Sequence, residues 1–268
     1  MKILLISLLA FVAVAYLLVC GLLYFKQESA LFYPQKLPAS HRFTFPGTYA
    51  EYPITAPDGT QLSGLLFKAE APAKGLVFFL HGNGGSLAGW GELAPTYTRL
   101  GYDVFLLDYR GYGKSQGRIS SEAQLLGDVQ AAYQQVAAGY DETQVVIAGY
   151  SVGTGPAAWL AARYHPRRLL LHAPYFNLAD MAAHTVSIWP VLPGFLLRYP
   201  LATNEYLPHV AAPVVLVHGD HDELIPYSSS VRLKALLKPG DQLITIRGGT
   251  HNGLLETPQY QQDIAKIL

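Results

Sequence analysis

Ser151 lies at the centre of Gly149-Tyr150-Ser151-Val152-Gly153, between an apolar run (Gln144 to Ala148) and an alanine-rich helical stretch (Thr154 to Tyr164). A serine on a sharp strand-to-helix turn carries its hydroxyl clear of the chain, and glycines on either side permit the strained backbone this requires. The N–H groups at the start of the following helix are free to stabilise a developing oxyanion. A nucleophilic serine also needs a base to take its proton, an acid to orient the base, and a second oxyanion donor. His251, in Gly248-Gly249-Thr250-His251-Asn252, is the last histidine of the chain and sits on a glycine-rich loop. Carboxylates cluster before it at Asp220, Asp222 and Glu223, and spacing alone does not choose among them. His81-Gly82-Asn83-Gly84-Gly85 supplies glycines that let backbone N–H groups approach a substrate.

Competing chemistries fit less well. His218-x-Asp220-His221-Asp222 lacks the spaced histidines of a metallohydrolase, so no metal or other cofactor is expected. Gly113-Lys114-Ser115 lacks the upstream glycine of a phosphate-binding loop. The run Asp108 to Gly117 offers neither free nucleophile nor base, and its role is structural, with Arg110 placed to meet a carboxylate.

The elements that must position these residues alternate along the chain. Thr48–Thr55 and Gln61–Lys68 flank Pro57-Asp58-Gly59 and form an antiparallel hairpin. Strands follow at Gly75–Leu80, Asp103–Leu107, Gln144–Ala148, Arg168–His172, Pro213–His218 and Gln242–Ile246, with helices from the Gly-rich loop to about Leu100 and over Ser121–Ala138. Apolar strands without alternation are buried on both faces, so the expected fold class is α/β: a mostly parallel sheet of about eight strands flanked by helices. Ser151, the acid cluster and His251 then all fall at carboxyl ends of strands, where sites form in open sheets. Residues 175–211 are too long and too apolar for a plain crossover and form a lid or substrate wall, with Trp189, Leu192, Phe195 and Leu196 facing substrate.

The 268 residues carry 19 basic and 19 acidic side chains with no block of one sign, which argues against a nucleic-acid partner. Cys20 is the single cysteine, so no intramolecular disulfide forms. Ile3 to Phe25 is apolar and uncharged between Lys2 and Lys26, long enough for the roughly 30 Å hydrocarbon core of a bilayer. A signal peptide cut after Ala13-Val14-Ala15 would leave about ten further apolar residues, and Val19 before Cys20 does not suit a lipoprotein signal. Residues 1–25 are therefore expected to be a single-pass transmembrane signal anchor, 26–47 a juxtamembrane segment and 48–268 the catalytic domain. Lys2 opposes Lys26, Lys36 and Arg42 in setting orientation; the usual signal-anchor outcome puts the body outside the cytoplasm.

Taken together, Phe32-Tyr33-Pro34, His81–Gly85, Asp108–Gly117, Gly149–Gly153, His218–Pro226 and Gly249–Asn252 resemble the α/β-hydrolase superfamily. They are most similar to its membrane-anchored, serine-aminopeptidase-like branch, which includes hydrolases of acyl-thioesters and lysophospholipids. The resemblance implies that the acid is Asp222, four residues after His218, and that the oxyanion donors are the backbones of Asn83 and Val152. Gly84-Gly85 stands where Ala-Gly is commoner. The expected function is hydrolysis of carboxylic esters or thioesters by a Ser151–Asp222–His251 triad, with a small-molecule or lipid acyl substrate. A peptidase of the same fold and a membrane-anchored, non-catalytic binding protein are the alternatives. Oligomeric state is not legible.

Overall fold

The computed structural model describes residues 2–185 and 194–268. Eight strands form one sheet: β1 (Tyr49–Thr55), β2 (Gln61–Phe67), β3 (Leu76–Leu80), β4 (Asp103–Leu107), β5 (Val145–Tyr150), β6 (Arg168–His172), β7 (Val214–Gly219) and β8 (Gln242–Ile246). Their spatial order is β1-β2-β4-β3-β5-β6-β7-β8, antiparallel through β1, β2 and β4 and parallel from β4 to β8. This is the mostly parallel α/β sheet expected from the strand pattern, with the α/β-hydrolase fold that the resemblance implied. Strand order reverses at β3, which pairs with β4 on one side and β5 on the other, so a crevice opens beyond the carboxyl ends of β3 and β5.

The apolar runs are explained by burial on both faces. Every residue of β3, β4 and β5 is buried. Alternate residues of β3 enter opposite cores: Leu76, Phe78 and Leu80 join one cluster with Tyr133 and Leu160, while Val77 and Phe79 join another with Tyr97 and Tyr260. The helix Glu122–Ala137 covers the first face. Its N-cap Ser121 accepts a hydrogen bond from the Gln124 N–H at 3.1 Å, and the Gln124 side chain turns back to the Ser120 N–H at 2.9 Å. Arg110 holds the loop after β4 to two other elements, with its guanidinium on Asp58 at 2.7 Å and on Asp128 at 2.5 Å.

Two stretches differ from the sequence expectation. The single helix expected up to Leu100 is broken into Leu87–Trp90, the one-turn Gly91–Leu93 and Ala94–Thr98. Pro95 removes a donor N–H there, and the bare Gly91 backbone lies against the Phe45 ring, where a Cβ would come within 2.3 Å. The N-terminal helix runs from Lys2 to Leu31, six residues past the apolar run, with a mean hydropathy of 2.9 over its most apolar window. By length and composition it can cross a membrane. The juxtamembrane aromatics pack on the domain: Phe32 meets Tyr199 edge-on at 5.3 Å, and Phe45 meets Phe67 at 5.3 Å.

His172, at the end of β6, is wholly buried. Its Nδ1–H donates to the Gly149 carbonyl at 3.0 Å, so Nε2 accepts from the Tyr260 hydroxyl at 2.9 Å, which in turn accepts from Tyr97 at 2.9 Å. Burial pushes the imidazole down from 6.5 to about 4. The folded ring resists a proton that the unfolded chain takes up, so its contribution to stability is intact above about pH 6.5 and is lost as the pH falls toward 4. A difference of that size is worth on the order of 3 kcal/mol. Denaturant-unfolding curves at several pH values should show this loss in the wild type and a shallower one in His172→Gln; parallel pH profiles would refute the assignment.

Candidate active site

The turn after β5 places Ser151 at φ 51°, in the left-handed region that a side-chain-bearing residue rarely occupies. The neighbouring glycines make the turn sterically feasible. A Cβ on Gly149 would lie 2.5 Å from the Gly153 carbonyl oxygen, and one on Gly153 would lie 2.2 Å from that of Leu80. The chain then enters a single turn, Ser151–Gly153, and the helix Thr154–Ala161, with the Thr154 hydroxyl donating to the Ser151 carbonyl at 2.6 Å. Val152 thus sits in a first turn, where N–H groups lack intrahelical acceptors.

His251 arrives from the loop after β8. Its Nε2 is 3.1 Å from Ser151 Oγ, and its Nδ1 is 2.8 Å from Asp222 Oδ2. The carboxylate only accepts, so Nδ1 carries the proton and Nε2 is left with a lone pair toward the serine. The three carboxylates of the acid cluster have separate partners. Asp222 reaches the imidazole, whereas Asp220 accepts from the Gly248 N–H at 2.6 Å and Glu223 from the His251 N–H at 3.2 Å. The outer two therefore fasten the loop that carries the imidazole. Tyr150 adds to this by donating its hydroxyl to the His251 carbonyl.

His218 was legible only as the buried end of a strand; the structure gives it a part in the site. Its Nε2–H donates to the Ile225 carbonyl at 3.0 Å and lies 3.2 Å from Asp222 Oδ2, while Nδ1 accepts from the Ser230 hydroxyl at 2.6 Å. Burial alone would raise the Asp222 carboxyl, but hydrogen bonds from His218, His251 and the Ile225 N–H outweigh it and hold the group well below the usual carboxylate range. The four-residue spacing from His218 had located Asp222 through the family resemblance, but neither it nor any signal at Ser230 foretold these contacts.

On the opposite side of the crevice, Asn83 follows β3. Its side-chain oxygen accepts from the Tyr33 N–H and from the Tyr112 hydroxyl, both at 3.0 Å, which fixes the loop after β3. Beneath it His81 is fully buried, stacked on Trp90 at 5.6 Å and tilted on Tyr109 at 4.4 Å, with Asp108 3.6 Å from its Nε2. Burial raises the Asp108 carboxyl despite His81 and the Leu87 N–H.

Ser151 and His251 open into a cavity of about 930 Å³ whose other walls include Val152, Trp90, Tyr175, Leu178, Met181 and Leu224. Of the expected substrate wall, Trp189 and Leu192 lie outside the described residues. Phe195 and Leu196 belong to the turn Gly194–Leu196; Leu196 is buried, and the side chain that reaches the cavity from there is Leu197. Unforeseen from sequence, Leu22, Leu23, Lys26, Gln27, Ala30 and Leu31 of the N-terminal helix line the same cavity.

A serine turn, an imidazole and a carboxylate at the carboxyl edge of this sheet are arranged as in the α/β-hydrolase fold, and the chain resembles proteins of that superfamily. More particularly, residues 71–203 match the family described as serine aminopeptidase, S33. That segment contains Asn83, Ser151 and Val152 but ends before Asp222 and His251. An uncharacterised protein of Mycobacterium tuberculosis is 29% identical over 247 residues, covering 90% of this chain and 87% of the relative. Human α/β hydrolase domain-containing protein 17B is 26% identical over 216 residues, 78% of this chain and 72% of the relative. Among solved structures, an esterase of Pyrococcus furiosus superposes with a TM-score of 0.72 at 19% identity, covering 89% of this chain and 97% of the other. A puromycin-hydrolyzing peptidase of Mycobacterium tuberculosis gives 0.64 at 19% identity, covering 81% and 38%. The family match and these relatives support hydrolase chemistry for this chain.

Because His218 acts on the acid rather than on substrate, His218→Asn should lower kcat by about 10- to 100-fold and leave KM within a few-fold, as a small misplacement of the imidazole would. Steady-state kinetics on a short nitrophenyl ester would check this; unchanged kcat would reduce His218 to a packing residue.

Proposed function

We propose that this protein is a serine hydrolase that cleaves carboxylic esters or thioesters through an acyl-enzyme. The observation that carries the reading is the line Asp222–His251–Ser151, at 2.8 and 3.1 Å, opening into a largely apolar cavity. Ser151 Oγ attacks the carbonyl carbon while its proton passes to His251 Nε2. The N–H groups of Asn83 and Val152 stabilise the tetrahedral oxyanion, and Asp222 stabilises the imidazolium. Collapse breaks the bond to the alcohol or thiol, which leaves with the proton from Nε2. Water, deprotonated by the same nitrogen, then attacks the acyl carbon and releases the acid.

The substrate class is a lipophilic acyl donor, with the N-terminal helix anchoring the body to a membrane. Among the described residues that line the cavity there is no carboxylate to hold a substrate amine. Asp180, on the helix whose Leu178 and Met181 line the cavity, is paired with Arg232 at 2.6 Å. An ester or thioester is therefore favoured over a peptide with a free amino terminus.

Purified full chain in detergent should hydrolyse nitrophenyl butyrate, and Ser151→Ala should lose at least about 10⁴-fold in kcat/KM. Turnover that survives the loss of Ser151 would refute the mechanism.

A further inference from the structure

The end of the N-terminal helix is built into the body by polar contacts. Gln27 is buried, and both ends of its amide are engaged: Nε2 donates to the Leu196 carbonyl, and Oε1 accepts from the Arg198 N–H at 2.9 Å. Glu28 pairs with Arg198 at 2.5 Å and accepts from the Tyr199 hydroxyl at 2.8 Å. Hydrogen bonds are directional, so these contacts fix the helix in rotation as well as position. Positions 23, 27, 30 and 31 are spaced by four, seven and eight and share one helical face. With Gln27 locked inward, Leu23, Ala30 and Leu31 are held facing the cavity that contains Ser151.

The opposite end of that wall is open. Leu22 lines the cavity and is also 60% exposed, beside Leu18 at 69% and Phe25 at 75%. Among the described residues, the cavity mouth is thus continuous with a largely exposed, apolar helix surface. From Leu22 to Leu31 the helix runs about 13 Å at 1.5 Å per residue. That length of mostly apolar wall, interrupted by Lys26 and Gln27, borders the cavity that holds Ser151 and suits an extended hydrocarbon chain.

We infer that the last three turns of the N-terminal helix are the acyl-chain wall of the site. Leu23, Ala30 and Leu31 determine which chain lengths are accepted, and the chain emerges where the helix enters its apolar surroundings. The inference rests on the acyl-enzyme reading and deepens it: the segment that anchors the protein is also a specificity element.

Ala30 is exposed along the wall, so a larger side chain there enters open space without disturbing the sheet. The full chain, reconstituted in phosphatidylcholine vesicles, would be assayed with nitrophenyl acetate, butyrate, octanoate and palmitate. The readout is the ratio of palmitate to butyrate kcat/KM, which does not depend on the fraction of protein that is active. Ala30→Leu should lower this ratio several-fold and Ala30→Trp by at least tenfold, whereas Leu9→Trp, far along the helix, should leave it unchanged. An unchanged ratio in both Ala30 variants, or an equal fall in Leu9→Trp, would overturn the inference. If Ala30→Trp is inactive toward every ester, the ratio in Ala30→Leu decides. Ser151→Ala run alongside separates the two readings. Butyrate turnover that persists without Ser151 sinks the acyl-enzyme; Ser151-dependent turnover with an unaltered ratio sinks only the wall.

Discussion

The site depends on two places where backbone touches backbone without an intervening side chain. At the first, Gly153 abuts the Leu80 carbonyl, bringing the serine turn against the end of β3. At the second, Gly219 faces Gly249, where a Cβ would lie 2.1 Å from the Gly249 carbonyl oxygen. One contact sets how far Ser151 stands from the Asn83 loop; the other sets how far the His251 loop stands from the end of β7. Neither tolerates a methyl group without displacement, and the reacting groups tolerate little error in position. Parallel pairing of β3, β5, β6, β7 and β8 supplies the rigid frame, and the glycines convert its strand ends into distances suited to proton transfer.

Within that frame the electrostatic arrangement is layered. A buried carboxylate is costly unless its lone pairs are met, and Asp222 meets N–H groups from two imidazoles and the backbone. The Ile225 carbonyl and the Asp222 carboxylate decide the tautomer of His218, since both only accept and so hold the proton on Nε2, leaving Nδ1 to accept from the Ser230 hydroxyl. Asp222 then decides the tautomer of His251. The orientation of the His251 imidazole thus traces back through Asp222 and His218 to Ser230 on the helix Ser228–Lys234. A third histidine, His172 at the end of β6, stays neutral by burial and ties Gly149 to the tyrosine pair Tyr97 and Tyr260. The serine turn is therefore pinned from beneath by an uncharged network and approached from above by a charged one.

Much of this was visible in the sequence because it is local. Each parallel strand is a short apolar run, and its boundaries fell within one or two residues of those observed; β4, β6 and β8 coincide with the expectation. The order of Ser151, the acid cluster and His251 was likewise legible, since each follows a strand. What the pattern could not resolve was which carboxylate met the imidazole: Asp220, Asp222 and Glu223 differ only in direction, and direction comes from the turn geometry after β7. The broken helix after β3 was hidden because Gly91 answers to Phe45, nearly fifty residues earlier in the chain. For the lid the expectation was of an apolar flap; among its described residues Tyr199 and Leu201 are fully buried, so that part of it is packed domain.

The N-terminal helix shows why an apolar pattern alone underdetermines function. A segment apolar all round has no preferred face, and nothing in Ile3 to Phe25 says which side should meet the protein. The face is chosen by the first polar residues beyond it. Gln27 cannot be buried at low cost unless both its amide groups are bonded, and among the described residues they are met by the backbone groups of Leu196 and Arg198. Satisfying them turns the helix so that Leu23 and Ala30 border the site while Leu18 and Phe25 face outward. The same hydrogen bonds tie the segment after the undescribed residues 186–193 to the anchor, so the wall formed by Leu197 and the wall formed by the helix are one unit. A single buried amide thereby couples the membrane-compatible part of the chain to the geometry of the cavity, and any change that frees Gln27 alters both together.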